Sequence, residues 1–203
     1  GREGKVKVGL SPHAPYSVSP PLLKRLAEWA RAEGLPLMVH AAESPEEVAF
    51  LARGEGPLRE VYGRFAKTPW TPPGTTPVRH LHALGVLGPT TLLVHGVQVD
   101  EEEVGLLAET GTKVVLCPRS NANLEVGEAP LALYAKHGVE LALGTDSRGS
   151  SPDLDVKNEA RFLWGRAEPR LLVRALTRGG YRALGLPTPR LTRGTPLSLV
   201  HFL

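Results

Sequence analysis

"PLMVHAAESPEEV", residues 36–48, carries one complete passage from strand to helix. Its apolar run ends at His40, and a short, Val- and Leu-containing run of this kind reads as a strand covered on both faces. Ser44-Pro45-Glu46-Glu47 then reads as a helix start, with Ser44 as N-cap, Pro45 in the first turn and Glu47 completing a capping box. Between the two elements stand His40 and Glu43, an imidazole and a carboxylate three residues apart.

The same grammar repeats outward. Further strands read at 5–10 (KVKVGL), 91–95 (TLLVH), 113–117 (KVVLC) and 140–144 (ELALG). Helical patterns fall between them. "SPPLLKRLAEWARAEG" (19–34) has Pro20 and Pro21 near its start, Leu22, Leu26 and Trp29 on one face, and Gly34 at its end. "DEEEVGLLAETG" (100–111) has Asp100 as cap, acidic residues in the first turn and Gly111 as terminator. The wide stretch 54–85 reads as two helices around a Pro/Gly/Thr loop. After residue 153, "DLDVKNEARFLWG" and "EPRLLVRALTRGGYRALG" read as helices, and the closing "PLSLVHFL" as a strand. Strands alternating with helices predict βαβ units, right-handed crossovers and a parallel sheet.

Composition narrows the function classes. The 203 residues are 41% hydrophobic, which suits one globular domain with a sizeable core. Lys+Arg number 24 against 21 Asp+Glu, a formal charge of +3, with basic residues scattered and aromatics at 5%, so the footprint of a nucleic-acid binder is missing. The single Cys117 excludes an intramolecular disulfide and a cysteine-rich zinc site. No apolar run approaches the roughly 18 residues of a membrane span. The expected setting is cytoplasmic, with a small-molecule partner, no nucleic acid and no membrane; a homodimer stays open.

The strand ends carry the informative pattern. His13 lies after the first strand, His40 and Glu43 at the second, His95 at the third, Arg119, Ser120, Asn121 and Asn123 after the fourth, and Asp146 after the fifth. In parallel α/β folds the carboxyl ends of the strands build the site. Each residue alone has a plain reading: a strand-end His is usually a hydrogen-bonded rim residue, Asp146 a turn residue, Glu43 a solvated one, and "CPRSNANL" an Asx-rich loop. His80, His82, His137 and His201 belong to that plain class. Five consecutive polar strand ends together point to chemistry. His40, His95 and Asp146 form a metal-capable set, and Glu43 a candidate proton carrier.

"SPHAPYSVS", "VHAAES", "LLVHGVQVDEEEV", "VVLCPRSNANL" and "LALGTDSRGSSPDLD", in this order over residues 8 to about 157, resemble the motifs of the amidohydrolase superfamily. The likeness is to its aminohydrolase/chlorohydrolase branch of adenosine-type, S-adenosylhomocysteine, guanine and aminofutalosine deaminases. The resemblance implies an α/β fold of TIM (β/α)8-barrel type with one divalent metal, usually zinc and sometimes iron. It implies that His40 and Asp146 ligate the metal and that Asp146 also takes a proton from the attacking water. His95 would orient that water, Glu43 would protonate a ring nitrogen of a heterocyclic substrate, His13 would contact substrate, and Ser120 and Asn121 would shape the pocket. The reaction implied is hydrolytic deamination of an amino-purine-like nucleoside or related heterocycle, releasing ammonia.

One departure bears on all of this. The family's His-x-His metal pair at the end of strand one has no counterpart before His13, and "HLH" at 80–82 lies in a helical stretch. With no initiator Met ahead of the strand at 5–10, the chain reads as about strands 4–8 of the barrel with their helices. Strands 1–3 and most of the flanking β-sandwich would be missing, with residues 1–190 forming the barrel part and 191–203 a return strand. Such a fragment is expected to hold metal weakly or not at all, to show little activity alone, and to need the N-terminal part of the same enzyme. Two alternatives stay open: a non-catalytic partner subunit lacking the metal pair, and an enzyme that releases chloride or opens a cyclic amide.

Overall fold

The computed structural model describes residues 7–66 and 70–188. Four strands, β1 (Leu37–Ala41), β2 (Thr91–His95), β3 (Lys113–Leu116) and β4 (Leu141–Leu143), form one sheet in the order β1-β2-β3-β4. Every neighbouring pair is parallel, with Ala41 opposite His95, Val94 opposite Val115 and Leu116 opposite Leu143. The fold is therefore α/β with a parallel sheet in sequence order, and all four strands lie where the apolar runs place them.

The stretch at 5–10 differs from its expected strand. Residues 5 and 6 fall outside the described residues, and of the rest only Leu10 pairs, in an isolated parallel bridge to Leu37. Leu10 donates its N–H to the Pro36 carbonyl at 2.9 Å and accepts from Met38 N–H at 2.8 Å. The next rung on either side would need an amide proton from Pro36 or Pro12, and proline has none. Imide nitrogens on both flanks confine the ladder to one bridge.

The connecting helices are α1 (Pro20–Glu33), α2 (Pro45–Arg53), α3 (Pro57–Phe65), α4 (Pro77–Ala83), α5 (Glu101–Thr110), α6 (Pro118–Asn123), α7 (Leu131–His137), α8 (Val156–Phe162) and α9 (Pro169–Arg174). A π-helical turn, Ala175–Gly179, then leads into α10 (Gly180–Ala183). The caps fall where the sequence places them: Gly34 and Gly111 close α1 and α5 with left-handed φ of 61° and 70°. Short α6 stands where the plain reading of "CPRSNANL" would put an Asx-rich loop, and α7 follows it without a sequence expectation. The closing strand at 191–203 lies outside the described residues.

One face of the sheet carries the main core. Leu37, Val39, Leu93, Val114, Leu116 and Leu141 pack there against Leu23, Leu81, Leu107, Tyr134 and Leu172 from the helices. The buried face of α1 is rotated from the expected one. Leu22 and Trp29 are 47% and 53% exposed, while Leu23, Ala27 and Ala30 are buried. Two alanines let the helix approach the sheet more closely than a Leu/Trp stripe would, so packing overrides the larger residues. Among the described residues no helix is long and apolar enough to cross a membrane.

The open edge of β4 is covered by the π-helical turn. β3 engages β4 through Val114 N–H to Glu140 O and Gly144 N–H to Leu116 O, so the Leu141 carbonyl points away from β3. Gly179 packs directly on that carbonyl, and an added Cβ would overlap it. We predict that Gly179→Ala destabilises the chain by about 3 kcal/mol in denaturant titration, because a backbone oxygen cannot yield as a side chain can. Gly180→Ala, where nothing lies within 4 Å of the added Cβ, is the control and should gain up to about 1 kcal/mol.

Candidate metal and catalytic site

At the carboxyl ends of the strands the backbone turns sharply. Ala42, His95 and Asp146 adopt φ of 54°, 75° and 57°, the left-handed region that non-glycine residues rarely visit. Each stands at the end of β1 or β2 or just beyond β4, and such conformations gather where surrounding contacts over-determine them. The β1 and β2 ends are tied together: Val97 and Gln98 both donate N–H to the Ala42 carbonyl at 2.8 Å. Tyr134 of α7 donates its hydroxyl to Gly96 O at 2.6 Å, holding the turn after His95 from below.

The structure brings His40, His95 and Asp146 together. One ligand-capable atom from each lies within 4.8 Å of the others, and the His40 and His95 rings are 5.5 Å apart. His40 Nδ1 donates to the His13 carbonyl at 2.9 Å, which leaves Nε2 as its lone-pair nitrogen. His95, 1% exposed, has Nδ1 at 2.8 Å from Asn121 Oδ1, the amide oxygen accepting. Its Nε2 then faces Glu43 Oε1 at 3.4 Å. Two lone pairs would meet there, so a proton or a cation belongs between or beside these atoms in the working state.

Asp146 Oδ2 accepts two hydroxyls, from Ser120 at 2.8 Å and Ser150 at 2.6 Å. Burial pushes this carboxyl up, but the Ser150 and Ser120 hydroxyls and the neighbouring His95 outweigh it and hold it below the usual carboxylate value. His13 lies at the rim. Its Nδ1 meets Ser17 Oγ at 2.7 Å, its ring stands edge-on to Tyr16 at 5.7 Å, and burial with nearby His40 lowers its pKa. The polar side chains of Ser120 and Asn121, 0% and 2% exposed, are thus engaged by Asp146 and His95.

Several residues escape the sequence reading. Ser150 is one of four serines between 147 and 151 or at 120, and spacing alone does not single it out. Arg119 forks onto Asp153 at 2.8 and 2.9 Å, and its N–H donates to Glu159 Oε2 at 3.0 Å. That clamp fastens the loop carrying Asp146 to the start of α6. A cavity of about 560 Å³ lies on the far side of Asn121, between α7 and α8, and none of the three ligand-capable residues lines it.

The family model for the amidohydrolase family matches residues 1–202. The chain belongs to the amidohydrolase family. Aminodeoxyfutalosine deaminase from Deinococcus radiodurans is 43% identical to this amidohydrolase over 205 residues, covering 93% of the chain and 48% of that relative. The crystal structure of Helicobacter pylori aminofutalosine deaminase superimposes with a TM-score of 0.80 at 25% identity, over 91% of this chain and 48% of that one. An adenosine deaminase from Xanthomonas campestris, solved with bound zinc, gives a TM-score of 0.70 at 31% identity over 87% and 38%. The chain thus spans about half the length of the curated relatives it matches.

The His95–Asn121 bond is testable on the chain itself. Asn121→Leu leaves the buried Nδ1–H of His95 without an acceptor, and we expect a loss of about 2 kcal/mol in denaturant unfolding.

Proposed function

We propose that this chain supplies one half of a metal-dependent deaminase that hydrolyses an exocyclic amine on an amino-purine nucleoside or a related heterocycle. The observation that carries the reading is the convergence of His40, His95 and Asp146 with Glu43 against the His95 ring. The names of these three similar proteins, each a deaminase, support it. On this reading residues 1–190 form about strands 4–8 of a (β/α)8-type barrel, and 191–203 return towards a flanking sandwich. The remaining strands and the family's His-x-His pair would come from the length that this chain does not span.

The donor set fits a divalent ion, with zinc favoured because imidazole nitrogen and carboxylate oxygen are its common ligands. His40, through Nε2, and Asp146, through its carboxylate, would hold it. When bound, such an ion supplies Lewis acidity that brings the pKa of a water towards neutrality.

The side chains divide the remaining work. His95, locked in one tautomer by Asn121, presents Nε2 to the attacking water and fixes its direction. Asp146 takes a proton from that water, its carboxylate oriented by the Ser120 and Ser150 hydroxyls. Glu43 delivers a proton to the ring nitrogen next to the amino-bearing carbon, drawing electrons from that carbon. Water oxygen bonds to the carbon, the C–N bond breaks, and the nitrogen leaves as ammonia after taking a proton. His13, at the rim beside His40, contacts the substrate, and Ser120 and Asn121 fix the strand-end geometry of the pocket.

The test is ammonia release by the full enzyme carrying this chain, with zinc supplied, from aminodeoxyfutalosine, adenosine and other amino-heterocycles. Release from at least one is expected, and no release from any would sink the reading. His40→Ala and Asp146→Asn should drop turnover to background, and Glu43→Gln should slow it by roughly 10²–10⁴-fold. Retained turnover in these variants would overturn the assigned roles.

A further inference from the structure

Helices α2 and α5 open with the same device and use it differently. In α5, Asp100 Oδ1 accepts Glu103 N–H at 2.9 Å and Glu103 Oε2 accepts Asp100 N–H at 3.0 Å, a closed capping box. In α2, Ser44 Oγ accepts Glu47 N–H at 3.2 Å, but Glu47 Oε2 reaches past the cap to the N–H of Glu43 at 2.8 Å. The expected box at Glu47 is therefore shifted by one residue, onto the candidate proton carrier.

The surroundings of the two glutamates differ as well. Both are 2% exposed. Glu103 accepts from the Thr76 hydroxyl and faces the Arg79 guanidinium at 3.7 Å. Glu47 has its Oε1 buried with no hydrogen-bond partner among the described residues. The titratable groups facing it are Glu43 and the Tyr16 hydroxyl, neither of them cationic. A buried carboxyl beside a second carboxyl and without a cation is stable as the neutral acid. Burial pushes Glu47 up to about 8, opposed only in part by the N–H groups of Glu43 and Ala42.

We propose that Glu47 is a positioning residue for Glu43, a neutral acceptor that fixes the Glu43 backbone and places no negative charge behind its carboxylate. This rests on the reading of Glu43 as proton carrier. The Glu43 amide comes directly after the left-handed turn at Ala42, so without an acceptor the carboxylate's approach to His95 Nε2 at 3.4 Å would loosen. An ionised Glu47 would set a second negative charge against the Glu43 carboxylate that remains once its proton has been delivered. Two carboxyls one helical turn apart thus hold separate roles because their environments differ.

Three measurements on the full enzyme carrying this chain test the proposal: ammonia-release kinetics of wild type, E47Q and E47A, ¹³C titration of the Glu47 carboxyl, and hydrogen exchange of the Glu43 amide. In wild type the Glu47 carboxyl should titrate near pH 8, far above its ordinary 4.5. Between those values the folded state keeps a proton that the unfolded state releases, so wild type loses stability relative to E47Q as pH rises. E47Q, isosteric and neutral, should keep kcat within about threefold and keep the Glu43 amide protected. E47A should lose kcat by about 10–100-fold with KM within about threefold, and the Glu43 amide should exchange at least about tenfold faster while that of Leu93 is unchanged.

E47Q as impaired as E47A, unchanged kcat and exchange in E47A, or a Glu47 titration near the ordinary value would each overturn the proposal. If E47A does not fold, E47Q and the wild-type titration decide. If wild type releases no ammonia, the deaminase reading fails, while the titration and exchange measurements still judge the placement of Glu47.

Discussion

Lateral pairing of four parallel strands sets everything else in this chain. Because Ala41, His95 and the residues just beyond β3 and β4 end at one level, four separate turns open on the same side of the sheet. His40 and Glu43 come from the end of β1, His95 from the end of β2 and Asp146 from beyond β4. The cluster is a property of register, because a slip of one residue at β2 would break the alignment of His95 with Ala41 that sets it beside His40.

That sheet is itself secured unequally. Its helix-facing side is a continuous apolar core, and β2 is buried along its whole length. The edges rest on closer devices: a single bridge from Leu10 on one side, the Gly179 backbone against Leu141 on the other. Above β4, where only three residues pair, the Arg119–Asp153 fork and the buried Glu159 carboxyl hold the long loop that presents Asp146. The shortest strand thus carries the most elaborate loop support.

Much of this is legible in the sequence, for identifiable reasons. Strand positions emerge from short apolar runs, and helix ends from Ser44, Asp100, Gly34 and Gly111, since both signals are local. His40, Glu43, His95 and Asp146 are legible as a group because each stands at or after a strand end. The features that escape depend on distance. The α1 face is misjudged because Ala27 and Ala30 matter only once the helix meets the sheet. Over the described residues 7–10 the expected strand is reduced to one bridge because Pro36, on its neighbour, withholds a proton. Ser150 and the Glu47–Glu43 bond depend on loop paths that no periodicity encodes.

Each side chain of the cluster is anchored by a neighbour, and the anchors run from one strand end to the next. His40 is held by the His13 carbonyl, His95 by Asn121 beyond β3, and Asp146 by Ser120 from that same short helix. Every one of these anchors is uncharged. A neutral anchor orients an imidazole or a carboxylate without neutralising it, so the site keeps its unsatisfied lone pairs for the groups that bind there. The helix α6, only six residues long, supplies two of the three anchors and is itself held at its start by the Glu159 carboxyl. Orientation at β2 and β4 is therefore shared through β3, whose end brings no member of the His40–His95–Asp146 cluster. Its contribution is to keep the two flanking strand ends aimed at one point.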